Sequence, residues 1–296
     1  MSVGIARTNF AGNVSDPWLF AREAERLGFD SIWAGEHIVS PKVTAEGHAY
    51  HGESVPLMPS SIVRLAGVAA ATRTIGIGTS IILLPQHNPL MLAKQLATLD
   101  ADSVGRLSVG IGIGWNREEM EILGGNFDRR VAQTMEALEV LKLLWTGEFV
   151  SFEGEFYNFP PLKSAPPPLQ KPHPPILFGM NGAKAISRVV DHADGWLPSV
   201  YKPEEVKGTG IDRIAKGREE IERLCAERGR DPETISITVV LADTPDQPVD
   251  RTLIDKYKAA GASSVVLLQS REAYTQFADE KEAVAYLESV ADRAFG

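Results

Sequence analysis

Asp16-Pro17-Trp18-Leu19-Phe20-Ala21-Arg22-Glu23-Ala24-Glu25-Arg26-Leu27-Gly28-Phe29-Asp30-Ser31-Ile32-Trp33-Ala34 contains one period of a rhythm that runs through the whole chain. Asp16 offers an N-cap with Pro17 in the first helical turn. Trp18, Ala21, Ala24 and Leu27 share one helical face, and Gly28 stops the run. Phe29 to Ala34 then reads as a strand, as does Ser2 to Ala6 before the helix. Strand, helix and strand in this order form the unit from which parallel sheets are built.

Along the rest of the chain, the same alternation predicts strands at Ile75 to Ser80, Arg106 to Ile111, Pro175 to Phe178, Gly195 to Pro198, Thr234 to Leu241 and Ser263 to Leu268. Helices are predicted near Ser60 to Thr72, Asn88 to Asp100, Asn116 to Trp145, Ala183 to His192, Pro203 to Glu227, Asp250 to Ala260 and Asp279 to Ala294. Eight strand–helix units in 296 residues amount to about 37 residues each, close to a (β/α)8 barrel with insertions. The expected fold class is therefore α/β, a (β/α)8 TIM barrel. A doubly wound open sheet is the rival, but eight regular repeats favour closure, which leaves no strand edge exposed.

Eight of the nineteen prolines lie between Phe159 and Pro175. Cutting the chain there would leave two half-barrels with unpaired edges, so the stretch is expected to be an insertion rather than a linker. One domain over residues 1–296 follows, with insertions at about 37–59 and 149–175, the second carrying a small hairpin around Phe149 to Tyr157. Both are expected on the C-terminal face, where loops of such length wall an active site.

Composition narrows the function. The chain is 44% apolar and 23% charged, with net charge −9 and a single cysteine, Cys225. Basic residues are scattered, which argues against nucleic acid or an anionic membrane as partner. The lone thiol suits a reducing compartment, and with no signal-like or membrane-spanning apolar run the expected location is the cytoplasm. No HExxH or CxxC occurs and the first strand carries no histidine pair, so no metal site is expected. The absence of GxSxG, with Cys225 in a charged helix, argues against a Ser or Cys nucleophile.

Glu36-His37 closes the second strand, where an imidazole would exchange a proton near pH 7 or simply sit on a surface loop. Thr79-Ser80 interrupts an apolar run and would bind either a ligand edge or backbone. Gly110, Gly112 and Gly114 alternate, opening one face to a flat ring or to a neighbouring strand. Phe178-Gly179-Met180-Asn181-Gly182-Ala183-Lys184 leads from strand into helix through glycines, the geometry of a phosphate cradle or of a plain tight turn. Trp33, Tyr50, Trp115, Phe178 and Trp196 are candidate apolar walls.

Phe29 to His37, Asn88 to Gln95, Gly105 to Gly110, Leu144 to Gly147, Phe152 to Tyr157 and Gly195-Trp196 together resemble the bacterial luciferase-like superfamily. The likeness looks closest to its deazaflavin-dependent branch, whose members use coenzyme F420. The resemblance implies a cofactor across the C-terminal mouth of the barrel, with His37 as the active-site histidine and Glu36 as its orienting acidic neighbour. It places a non-prolyl cis peptide at Ser80-Ile81 under the ring system, a polar contact at Asn116, and the cofactor phosphate on Gly179, Met180, Asn181, Gly182 and Ala183. The implied reaction is hydride transfer between F420 and an unsaturated or carbonyl-bearing small organic molecule, in a homodimer. An FMN-dependent monooxygenase and a non-catalytic cofactor carrier are the alternatives.

Overall fold

The computed structural model describes residues 1–6, 16, 18–42, 58–182, 184–201, 208–269, 277 and 279–296. Eight parallel strands form a closed ring: β1 (Ser2–Ala6), β2 (Ser31–Ala34), β3 (Gly76–Thr79), β4 (Leu107–Gly112), β5 (Ile176–Phe178), β6 (Gly195–Trp196), β7 (Ser236–Asp243) and β8 (Ser264–Gln269). The order runs β7-β8-β1-β2-β3-β4-β5-β6 and closes where β6 pairs with β7, Gly195 opposite Ser236 and Trp196 opposite Ile237. Short extensions at Ile82–Leu83 and Ser199–Val200 join β4 and β7. The open-sheet alternative is thereby removed. No helix among the described residues is long and apolar enough to cross a membrane.

Alternate residues serve two cores, as the strand period of two requires. Ala6, Trp33, Leu177, Leu197, Val240 and Val266 fill the inside of the ring, with Ile81 and Leu268 partly buried against them. Ile5, Ile32, Ile77, Val109, Ile176, Val239 and Val265 face outward into the larger core beneath the helices. Those helices are α1 (Leu19–Arg26), α2 (Ser61–Ala71), α3 (Pro89–Asp102), α4 (Arg117–Ile122), α5 (Arg130–Trp145), α6 (Ala185–His192), α7 (Gly210–Arg228), α8 (Arg251–Ala259) and α9 (Glu280–Phe295).

The structure departs from expectation in three places. The helical stretch from Asn116 to Trp145 is two helices, because Gly124 adopts φ +85, a conformation that a side chain disfavours and that ends α4. The hairpin pairs Val150–Glu153 with Asn158–Leu162 and so reaches five residues past Tyr157. The insertion 149–175 lies between the C-terminal end of α5 and the start of β5, which roots it on the N-terminal face of the barrel rather than the C-terminal one. Gln170 anchors it there: its backbone N–H and side-chain amide donate to the Asp100 carboxylate at 2.9 and 2.7 Å, and the amide also donates to the Leu107 carbonyl. The hairpin turn then packs along the outside of α5, where Glu136 accepts the N–H groups of Glu155, Phe156 and Tyr157. The other insertion, 37–59, follows β2 as expected, and residues 43–57, Tyr50 among them, lie outside the described residues.

The same N-terminal rim holds Glu25 of α1. Its carboxylate accepts the N–H groups of Arg73, Thr74 and Ile75 and the Thr74 hydroxyl where the chain enters β3. Burial acts to raise its pKa, but these hydrogen bonds outweigh burial and hold it at about 2. A depressed carboxylate adds stability that is full above its unfolded pKa and lost as the pH falls through the folded value. Glu25→Gln is expected to cost about 1–2 kcal/mol at pH 7. The gap from the parent should narrow between pH 5 and pH 3 in urea unfolding; a gap independent of pH would contradict this assignment.

Candidate active site

The C-terminal mouth of the barrel is organised around the residues that follow β2. Glu36 is buried and His37 half-buried. His37 Nδ1 lies 2.7 Å from Glu119 Oε2, while Glu119 Oε1 accepts the Ile38 N–H at 2.8 Å. An ionised carboxylate only accepts, so in this pairing Nδ1 carries the hydrogen. Trp115 sets its ring edge-on to His37, with centroids 5.7 Å apart, and is 44% exposed.

Glu36 does not orient His37. Its Oε1 lies 2.6 Å from His87 Nε2 and its Oε2 accepts the Ser61 hydroxyl at 2.9 Å. Successive residues of an extended chain project to opposite sides, which sends Glu36 and His37 to different partners. The orienting acid is Glu119, from α4. It is placed by Asn116, whose Oδ1 accepts the Glu119 N–H at 2.9 Å as the N-cap of that helix. Asn116 is buried, and its side-chain oxygen serves this cap. Asn-x-x-Glu is the spacing of a capping box, a signal that marks the helix start in the sequence. The destination of the carboxylate, 82 residues away on His37, has no local signature.

The Ser80-Ile81 peptide is cis, as the resemblance implied. Thr79 is buried, with its hydroxyl on the Gly110 carbonyl, whereas Ser80 and Ile81 stay partly accessible. The alternating glycines have close neighbours: a Cβ on Gly110 would run into the Thr79 carbonyl oxygen of β3, one on Gly112 into Ile81 Cδ1 from the loop after β3, and one on Gly179 would sit 2.8 Å from Ile81 Cγ2. Ile81 thus occupies a notch cut by two missing side chains and caps the inner core from the mouth.

Beyond β5, the Gly179 N–H donates to the Ile111 carbonyl at 2.7 Å, and the Met180 carbonyl accepts the Trp196 indole N–H. Met180 is buried. Asn181 and Gly182 are exposed at the entry to α6, and Ala183 lies outside the described residues. The candidate apolar walls also separate. Trp33 is inside the barrel, Phe178 and Trp196 lie under the helices, and Trp115 stands beside His37. His173 sits at the opposite end near Asp194, away from His37 and His87.

A model of the luciferase-like monooxygenase family matches residues 11–293. The chain belongs to the luciferase-like monooxygenase family. Within it, the chain is similar to an uncharacterized protein of Mycobacterium tuberculosis (strain ATCC 25618 / H37Rv), 35% identical over 234 residues that cover 75% of this chain and 79% of the relative. It is also similar to the F420-dependent glucose-6-phosphate dehydrogenase of Kineococcus radiotolerans, 31% identical over 244 residues, 79% of this chain and 66% of that one. Among solved structures, the monooxygenase RslO1 from Streptomyces bottropensis superposes with a TM-score of 0.74 over 100% of this chain and 99% of that one, at 21% identity. At that identity the likeness is one of fold.

In this luciferase-like barrel a Cβ at Gly112 meets the terminal methyl of Ile81, which must turn aside to admit it. Gly112→Ala should therefore lower stability by about 1 kcal/mol through overpacking against Ile81. Gly112→Ala/Ile81→Ala should recover part of that loss in thermal melts. Additive losses in the double variant would show that Ile81 does not fill the Gly112 notch.

Proposed function

We propose that this chain is an oxidoreductase that uses coenzyme F420 and acts on an unsaturated or carbonyl-bearing small organic molecule. The observation that carries the reading is His37 held by the buried Glu119 carboxylate at the mouth of a luciferase-like barrel. The F420-dependent dehydrogenase relative, similar across 79% of this chain, favours the deazaflavin over a flavin. The residues present fit a flat ring of low polarity: Ile81 and Leu268 cover the inner core from the mouth, Ser80 offers a hydroxyl, and Asn181 and Gly182 present an exposed turn suited to a phosphate.

F420, when bound, supplies a hydride and does not readily activate oxygen. The chain's own residues do the rest. Ser80 and Ile81 support the ring, Asn181 and Gly182 hold the phosphate, and Trp115 walls the substrate side. His37 gives or takes a proton at Nε2 while Glu119 keeps Nδ1 engaged and the ring oriented. The location is the cytoplasm and the assembly a homodimer.

An FMN-dependent monooxygenase is the second reading, favoured by the family description and by the fold shared with RslO1. Fluorescence titration with F420 and with FMN separates the two. Micromolar binding of F420 with weak or no FMN binding is expected, and the reverse would replace the proposal. In an F420-linked assay over ketones, enals and their reduced forms, His37→Ala is expected to lower kcat by about 100-fold or more. Glu119→Gln should give a smaller loss, with F420 affinity changed little in both. Turnover unaffected by His37→Ala would remove the proton role.

A further inference from the structure

His87 is used by no step so far, yet it forms a short side-chain bond at the mouth, 2.6 Å from the Glu36 carboxylate. Its surroundings make it a fixed point. It directly precedes Asn88, whose Oδ1 accepts the N–H groups of Leu90 and Met91 and starts α3, and its own N–H donates to the Leu84 carbonyl. On the other side, the chain before His37 has little freedom. Ser80 N–H donates to the Ala34 carbonyl, and a Cβ on Gly35 would stand 2.6 Å from the Ser80 carbonyl oxygen. Glu36 then turns to His87 and Ser61, and His37 with Ile38 turns to Glu119. Residues 34–38 are therefore gripped alternately from the loop after β3, the start of α2, the turn before α3, and α4.

We propose that His87 is a positioning residue for His37, gripping Glu36 from the side opposite Glu119 so that the imidazole is presented in one orientation. The catalytic part of this inference rests on the oxidoreductase reading; the positioning part does not. Glu36 and Glu119 are both buried carboxylates, and the imidazoles of His87 and His37 are the partners that meet them. The basic side chains on the packed elements have partners elsewhere. Arg64 of α2 lies over the Trp18 ring, Lys94 of α3 donates to the Ala165 carbonyl, and Arg117 of α4 pairs with Glu121 and Asp128. Without His87, the Glu36 carboxylate keeps only the Ser61 hydroxyl among the described residues, and the segment carrying His37 loses its grip from the turn before α3.

The test uses the full chain without cofactor and reads imidazole N–H protons by NMR, with resonances assigned by their loss in His37→Gln and in His87→Gln. The His37 Nδ1–H resonance is expected in the parent and in His87→Gln, whose amide still donates to Glu36. It should broaden or vanish in His87→Leu. In the F420-linked assay, His87→Leu should lower kcat by about tenfold or more, with F420 affinity changed less than about twofold, and His87→Gln should recover most of the loss. Should His87→Leu not fold, Glu36→Ala/His87→Leu removes the carboxylate together with its partner and is expected to lose the same resonance. A His37 resonance that is unchanged in the leucine variant, or lost equally in the glutamine one, overturns the proposal. Because the N–H readout needs no cofactor, it decides the positioning role even if the F420 assignment fails.

Discussion

A carboxylate shut away from water must be met by donors, and at Glu119 that requirement governs the mouth of the barrel. Asn116 sets where α4 begins, and the beginning of α4 sets where Glu119 stands. The carboxylate then closes on the ring nitrogen of His37 with one oxygen and on the Ile38 backbone with the other. One acidic side chain thus fixes an imidazole and the peptide that carries it, joining the loop after β2 to the helix after β4. The direction of His37 follows from a helix cap.

Much of this architecture is written locally. Gly28, Asn88-Pro89, Asp250 and Asp279 mark helix ends by their own chemistry, whereas the cap of α1 falls on Trp18 rather than Asp16, and the strands between follow from short β-branched and aliphatic runs. For β1, β3, β4 and β8 the ends read from the sequence agree with the barrel to within one residue. His37 and the Ser80-Ile81 pair are legible by their place at strand ends together with the family likeness. The partner of His37 is not. Glu36 is adjacent in sequence, but adjacency in extended backbone sends side chains apart, while Glu119 becomes adjacent only after β2, β3 and β4 have paired side by side.

The face occupied by 149–175 escapes a sequence reading for a related reason. A proline-rich excursion looks alike whether it follows a strand or a helix, and in a (β/α)8 barrel that distinction alone decides which face it occupies. Here α5 runs to Trp145 before the hairpin begins, so the excursion emerges at the base. The alternating glycines of β4 show a similar ambiguity. Bare backbone admits whatever comes close, and Ile81 from the loop after β3 is what fills the gap at Gly112.

With Gln170 tied to Asp100 and Leu107 at one end of the barrel, and His37 tied to Glu119 at the other, the two tasks of the molecule are held in separate places. The proline-rich belt braces the foot of the cylinder, and the loops above are left to be recut for new substrates. Such a division favours diversification, since a change of specificity need not be matched by repairs to the foundation.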